Sequence, residues 1–195
     1  MRGLLLLFPL LVLGCQSPRS SLPPGAASLP DVPLSSAPFD VVHCAFKETL
    51  DQPYVFLELR GSYTATGRNL PELAKRVSEQ GLTPSGPPFA LFYDDPGAVA
   101  IEELRSRIAF PVESVATVRA PLQADVLRSS TVAYALVNGP YPEVPRCYPG
   151  LLEYVQKMHW SLSGPIREIY HVQPASVSDW SALRCEVQAP VSMAP

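Results

Sequence analysis

Glu168 is the residue best placed to do chemistry, because of what surrounds it. It lies in Ile166-Arg167-Glu168-Ile169-Tyr170, an apolar run that reads as a strand. Strand side chains alternate, so Ile166, Glu168 and Tyr170 share one face while Arg167, Ile169 and His171 share the other. Burying an uncompensated carboxylate is costly, so Glu168 is expected to be protonated, paired or in a cavity. In a cavity it offers two kinds of chemistry: charge complementarity for a ligand, or acid–base action with Tyr170 orienting it. The plainer reading is a surface ion pair with Arg167, Arg105 or Arg184, or a position facing solvent.

The elements that must position Glu168 come in two copies. Ser85 to Pro96 (SGPPFALFYDDP) recurs as Ser163 to Pro174 (SGPIREIYHVQP), 78 residues later. The same offset carries Gly61-Ser62-Tyr63 onto Gly139-Pro140-Tyr141, and Pro71 with Leu73 onto Pro149 with Leu151. With one residue inserted, Glu103-Leu104-Arg105 through Pro111-Val112 falls on Ala182-Leu183-Arg184 through Pro190-Val191. Matches in order at nearly one offset indicate an internal duplication with a pseudo-twofold axis. The informative positions are those where the copies differ, and the clearest is Glu168 against Ala90. By the repeat, Ala90 and Phe92 share the face of Glu168 and Tyr170.

Each copy reads as strand, strand, helix, strand, strand. In the first, Val41 to Phe46 and Tyr54 to Leu59 are strands, and Leu70, Leu73, Ala74 and Val77 keep helical spacing up to Gly81. Phe89 to Tyr93 and Glu102 to Phe110 follow as strands. In the second, the strands are Val115 to Arg119, Thr131 to Val137, Ile166 to Val172 and Leu183 to Val187, with a helix stripe at Leu151, Leu152, Val155 and Met158. Neither unit hides its apolar face alone, so the two are expected to share a core. The fold class is α+β: a duplicated unit forming a curved, mostly antiparallel sheet, with two helices.

The 195 residues divide unevenly. Arg2 and the apolar run Leu4 to Leu13 read as a targeting segment over 1–14, too short to span a bilayer as a mature helix. Val12-Leu13-Gly14-Cys15 resembles a bacterial lipobox, with Cys15 as the acylated residue. The alternative is an ordinary signal peptide with a cysteine near its end. Gln16 after the cysteine resembles the sorting pattern of outer-membrane lipoproteins. The expected location is therefore the cell envelope, at the periplasmic face of the outer membrane. Acyl chains contribute roughly 0.8 kcal/mol per buried CH₂, so a multiply acylated cysteine anchors stably. Residues 15–38, rich in proline and serine, read as a tether, and 39–191 as the folded domain, with repeats at about 41–112 and 114–191.

From about Val41 to Val191 the chain resembles the GyrI-like small-molecule-binding domains, which are also the effector-binding domains of AraC- and MerR-type multidrug regulators. The resemblance rests on Gly139-Pro140-Tyr141, the helix through Leu151, and above all Pro165-Ile166-Arg167-Glu168-Ile169-Tyr170, which matches the family's Pro-x-Arg-Glu-x-Tyr pattern. Phe92-Tyr93-Asp94-x-Pro96 matches the same strand in the first copy. Asn138 departs from the histidine that many relatives carry before the turn. The resemblance implies a duplicated strand-helix-strand-strand unit with a groove between the halves, Glu168 at its base and aromatic walls. The candidate walls are Tyr170, Phe92, Tyr134 and its counterpart Phe56, with Tyr63 and Tyr141 at the turns and Trp160 at a helix end. Such walls suit amphipathic, lipophilic cations, since each ring face attracts a cation by roughly 0.5–2 kcal/mol.

Three functions follow as expectations. The first is a membrane-tethered protein that binds a small ligand for sequestration or detoxification. The second, also by resemblance, is a hydrolase of strained electrophiles of the cyclopropanoid type, using Glu168 and Tyr170. The third is an envelope scaffold whose groove binds a protein segment. With 15 basic and 18 acidic side chains there is no basic footprint for nucleic acid, and residues before 39 read as leader and linker rather than a DNA-binding helix-turn-helix. His43, His159 and His171 lack metal-ligand spacing, so neither a metal nor a cofactor is expected. Of Cys44, Cys147 and Cys185, Cys44 and Cys185 lie on the first and last strands of the chain and are the more natural disulfide pair, though spacing does not decide it.

Overall fold

The computed structural model describes residues 32–114 and 117–193. The targeting segment, Cys15 and the tether as far as residue 31 lie outside the described residues, as does Val115.

The helical spacing produces two short helices, α1 over Leu70–Glu79 and α2 over Tyr148–Lys157, each with proline in its first turn, where the missing N–H is harmless. Each is entered through a 3-10 turn, Tyr63–Asn69 and Tyr141–Cys147. The strands are β1 Ser35–Ser36, β2 Cys44–Thr49, β3 Gln52–Arg60, β4 Phe89–Phe92, β5 Arg105–Pro111, β6 Gln123–Leu127, β7 Ser130–Asn138, β8 Trp160–Leu162, β9 Ile166–Tyr170 and β10 Arg184–Met193. They form one sheet in the order β1-β7-β10-β9-β4-β5-β3-β6, with β2 also on β7 and β8 on β10. All pairings are antiparallel except β1 with β7.

The duplication is visible in the register. The halves meet at β4 and β9, where Ala90 pairs with Glu168, its own repeat counterpart. Phe92 pairs with Ile166, and the equivalent contact joins Tyr170 to Pro88, whose carbonyl accepts from the Tyr170 N–H at 2.9 Å. A residue paired with its own counterpart lies on the pseudo-twofold axis, so Glu168 stands at the centre of the molecule. The strand preceding each unit crosses to the other: β2 pairs with β7, and β6 with β3.

Both helices cover the same face of the sheet. Leu73 and Val77 of α1 and Leu151 and Val155 of α2 pack with Val55, Ala90, Ile108, Val137 and Val187 in one core. Among the described residues no helix lies over the opposite face, yet Tyr54, Phe56, Phe89 and Leu91 are buried there, packed together with Ala109 and against Tyr93, Leu127 and Ile169.

Several boundaries differ from expectation: the first strand, expected over Val41 to Phe46, is Cys44–Thr49, and the last, expected over Leu183 to Val187, runs on to Met193. The short strand expected over Val115 to Arg119 lies instead at Gln123–Leu127, where the backbone of β3 provides its partner. The segment from Ile101 to Glu103 is a 3-10 turn, and the returning strand starts at Arg105. The domain also begins before residue 39. Ser35 and Ser36 pair with Val137 and Asn138, the Ser35 hydroxyl accepts from the His43 N–H, and Phe39 is buried, so the last part of the stretch read as tether is a folded edge.

Cys44, Cys147 and Cys185 are free. Cys44 pairs opposite Ala135 and Cys185 opposite Val137, with β7 between them. Two inter-strand spacings of about 4.8 Å already exceed the Cα reach of a disulfide, so the Cys44–Cys185 pairing that the sequence left open does not form.

Candidate functional site

Glu168 is 3 % exposed, and neither oxygen faces a cation. The Tyr148 hydroxyl donates to Oε1 at 2.6 Å and the Tyr170 hydroxyl to Oε2 at 2.7 Å. The ion pair with Arg167, Arg105 or Arg184 is absent: Arg105 pairs with Asp94 at 2.7 Å, Arg184 donates to backbone carbonyls, and Arg167 points to the other face. Burial raises the Glu168 carboxyl to about 7, and the two tyrosine hydrogen bonds hold it lower than burial alone would. The same burial, with the carboxylate beside them, pushes both tyrosine hydroxyls well above their ordinary range, so they remain donors.

Above this carboxyl lies a cavity of about 920 Å³ between the two helices. Its walls include Tyr63, Phe92, Tyr141, Tyr148 and Tyr170, with Leu70, Leu152 and Pro145 around them. The repeat gives it a matched frame. Tyr63 packs at a tilt against Phe92 with ring centroids 4.8 Å apart, and its counterpart Tyr141 packs likewise against Tyr170 at 4.7 Å. The Tyr63 hydroxyl donates to the carbonyl of Asp94, and the Tyr141 hydroxyl to the equivalent carbonyl of Val172. These hydroxyls are held by backbone, so the rings present carbon to the cavity.

The halves then diverge in polarity. Leu70, Ala90 and Phe92 of the first copy correspond to Tyr148, Glu168 and Tyr170 of the second. At these three positions one half is hydrocarbon and the other carries a carboxyl with two hydroxyls, while Arg68, Asp94 and Asp95 of the first copy add charge elsewhere in the lining, which suits an amphipathic guest.

Of the eight residues expected at the ligand site, Glu168, Tyr170, Phe92, Tyr63 and Tyr141 line the cavity, and Tyr134, Phe56 and Trp160 do not. The register explains the first two misses. Gln188 pairs with both Tyr134 and Arg167, so Tyr134 shares the face of Arg167. Phe56 pairs with Ala109, which pairs with Phe89, which pairs with Ile169, again on the helix-free face. There Phe56 lies 4.0 Å beneath the Arg107 guanidinium, and Tyr134 lies 4.6 Å beneath the Lys47 amine. Trp160 is on β8 rather than at a helix end, packed edge-to-face on Phe46 and Tyr154. The residue that sequence reasoning missed is Tyr148. Its signal was available, since its counterpart is Leu70, the same kind of contrast as Glu168 against Ala90.

A model of the GyrI-like small molecule binding domain matches residues 44–192. The chain belongs to the GyrI-like family. The match covers both halves of this GyrI-like domain and omits only β1 and the final residues of the fold. Among solved structures, the C-terminal domain of EcmrR is similar at a TM-score of 0.71 and 18% identity, over 79% of this chain and 99% of that one. A hydrolase from Listeria innocua is similar at a TM-score of 0.52 and 13% identity, over 76% and 91%. SAV2435, solved bound to tetraphenylphosphonium, is similar at a TM-score of 0.53 and 13% identity, over 77% and 94%. At these identities the likeness is one of fold. No curated protein matches the chain by sequence.

Proposed function

We propose that this GyrI-like domain captures a lipophilic, amphipathic cation over Glu168, while tethered through Cys15 to the periplasmic face of a bacterial outer membrane. The observation that carries the reading is a single buried carboxyl, held by two tyrosine hydroxyls at the base of an aromatic-walled cavity. A cation entering the cavity meets ring faces and a carboxyl already oriented, and its charge favours ionisation of Glu168. The size of the cavity suits a molecule of several rings. The likeness in fold to a protein solved with tetraphenylphosphonium supports the choice of probe. The tether is supported by the apolar run before Cys15 and the proline-rich stretch after it. Such an arrangement serves sequestration or detoxification at the envelope.

The test is titration of wild type and Glu168→Gln with tetraphenylphosphonium by calorimetry. The expected result is saturable binding by wild type and a loss of about tenfold or more in the variant, equivalent to about 1.4 kcal/mol. Equal affinity in the two proteins would remove Glu168 from the site. The anchor is tested separately: wild type should incorporate labelled fatty acid and Cys15→Ser should not.

A second reading uses the same carboxyl as an acid–base group, in a hydrolase of strained electrophiles. A carboxyl at about 7 beside two hydroxyls is suited to proton transfer near neutrality, and one fold neighbour is described as a hydrolase. Mass spectrometry separates the two readings: a water-added product formed by wild type and not by Glu168→Gln marks a hydrolase, and intact bound ligand marks a receptor.

A further inference from the structure

The helix-free face of the sheet carries charges arranged by the same duplication. Lys47 pairs with Glu186 at 2.6 Å, and Arg107 pairs with Asp125 at 2.9 Å. Lys47 and Asp125 are repeat counterparts, as are Arg107 and Glu186, so the two ion pairs are equivalent in place and opposite in polarity. Together they balance. Arg167, near the axis on this face, has no such partner, and its own counterpart is Phe89.

Arg167 is 7 % exposed, and its Nε–H meets no acceptor among the described residues. The titratable groups it feels are the hydroxyls of Tyr54 and Tyr93 rather than a carboxylate, and burial lowers its affinity for its proton. Its strand neighbours are Leu91 on one side and Gln188 on the other, and Gln188 donates to Glu186. One place further along the same cross-strand row is Tyr134, whose buried hydroxyl also has no partner among the described residues. A guanidinium cannot shed its charge near neutral pH, and a buried cation without an acceptor costs several times an ordinary missing hydrogen bond. Two orphaned buried donors in one row point to an acceptor from outside the domain.

We propose that the helix-free face holds a second binding site, for a carboxylate on an apolar body, with Arg167 as its cation. The planar fork of a guanidinium fits a carboxylate through two parallel N–H···O bonds, while Ile169 and Tyr93, the partly exposed residues packed on this cluster, receive the apolar part. This site is separated from the Glu168 cavity by the thickness of the sheet, and the two take ligands of opposite charge.

The experiment is a benzoate titration of the full chain, followed by the side-chain Nε–H resonance of Arg167 and by thermal unfolding. The expected result is saturable movement of that resonance, with a midpoint of unfolding that climbs by several degrees once benzoate is about 100 times its dissociation constant. Arg167→Met should lose the thermal response and still bind tetraphenylphosphonium as wild type does. A resonance that does not move in the wild type overturns the proposal whether or not the variant folds. An equal thermal response in wild type and variant also overturns it.

Discussion

Glu168 titrates differently in the folded and unfolded chain, and this gives a prediction with a definite sign. Its ordinary carboxyl value is 4.5 and its folded value is about 7. Below 4.5 both states hold the proton. Between 4.5 and 7 the unfolded chain releases it while the folded chain keeps it, so stability falls as pH rises and levels off above 7. The window of about 2.5 units corresponds to about 3 kcal/mol. Glu168→Gln lacks this contribution. Urea unfolding at pH 4.5 and pH 8 should therefore show wild type losing up to about 3 kcal/mol more than the variant, and parallel losses would refute the assignment. Affinity for a permanent cation should run the other way. It should rise with pH by up to about tenfold per unit below 7 and then plateau, because the ionised carboxyl is the better partner. Tyr148→Phe removes a hydrogen bond that holds the carboxyl down, so the plateau should be reached at higher pH, with a stability cost of about 1–2 kcal/mol at neutral pH. A Tyr148 that merely fills space would leave the pH midpoint where it is.

The packing of α2 is tested at Gly150. A Cβ there would lie 2.7 Å from both Cβ and Cγ2 of Val42, on the segment that leads into β2. Gly150→Ala should cost about 1–3 kcal/mol in denaturant unfolding, and Val42→Ala in the same chain should recover the part due to Cγ2 while the Cβ contact remains. If the double variant is no better than the single, the strain lies elsewhere. The elements readable in the sequence were those whose signal is local. Both helices carried their apolar stripe and their proline entry, and Ile166 to Tyr170 carried its alternation. What escaped depended on distant partners. Gln-Ala-Asp-Val-Leu has weak strand propensity and becomes β6 through pairing with β3, whereas Val115 to Arg119 had the stronger local signal. Alternation alone also leaves open which of two faces is covered. Tyr134 and Phe56 were counterparts of each other and so both fell on the wrong side, because only the register through Gln188 and Ala109 ties their parity to that of Glu168.

At the scale of the molecule, the two halves do not stand as separate bodies. Each gives its leading strand to the other, and one core runs beneath both helices. The N-terminal edge belongs to that assembly. A chain beginning at Asp40 loses β1, the Ser35 contact to His43 and the buried ring of Phe39. It should melt several degrees below one beginning at Pro33, by differential scanning calorimetry, since burial of one large apolar side chain is worth about 1.5–3 kcal/mol. Identical melting would make β1 an ornament of the edge. Glu168 facing Ala90 across the seam has a last implication, for ancestry. Two identical chains joined along this seam would present the same residue twice at its centre, either two carboxyls about 5 Å apart or none. Two would repel and share a proton, and none would leave the guest without a counter-ion. A lone acid at such a point is closed to a pair of identical chains, and carrying both copies in one polypeptide lets them differ there, so the fusion made an asymmetric receptor available to selection.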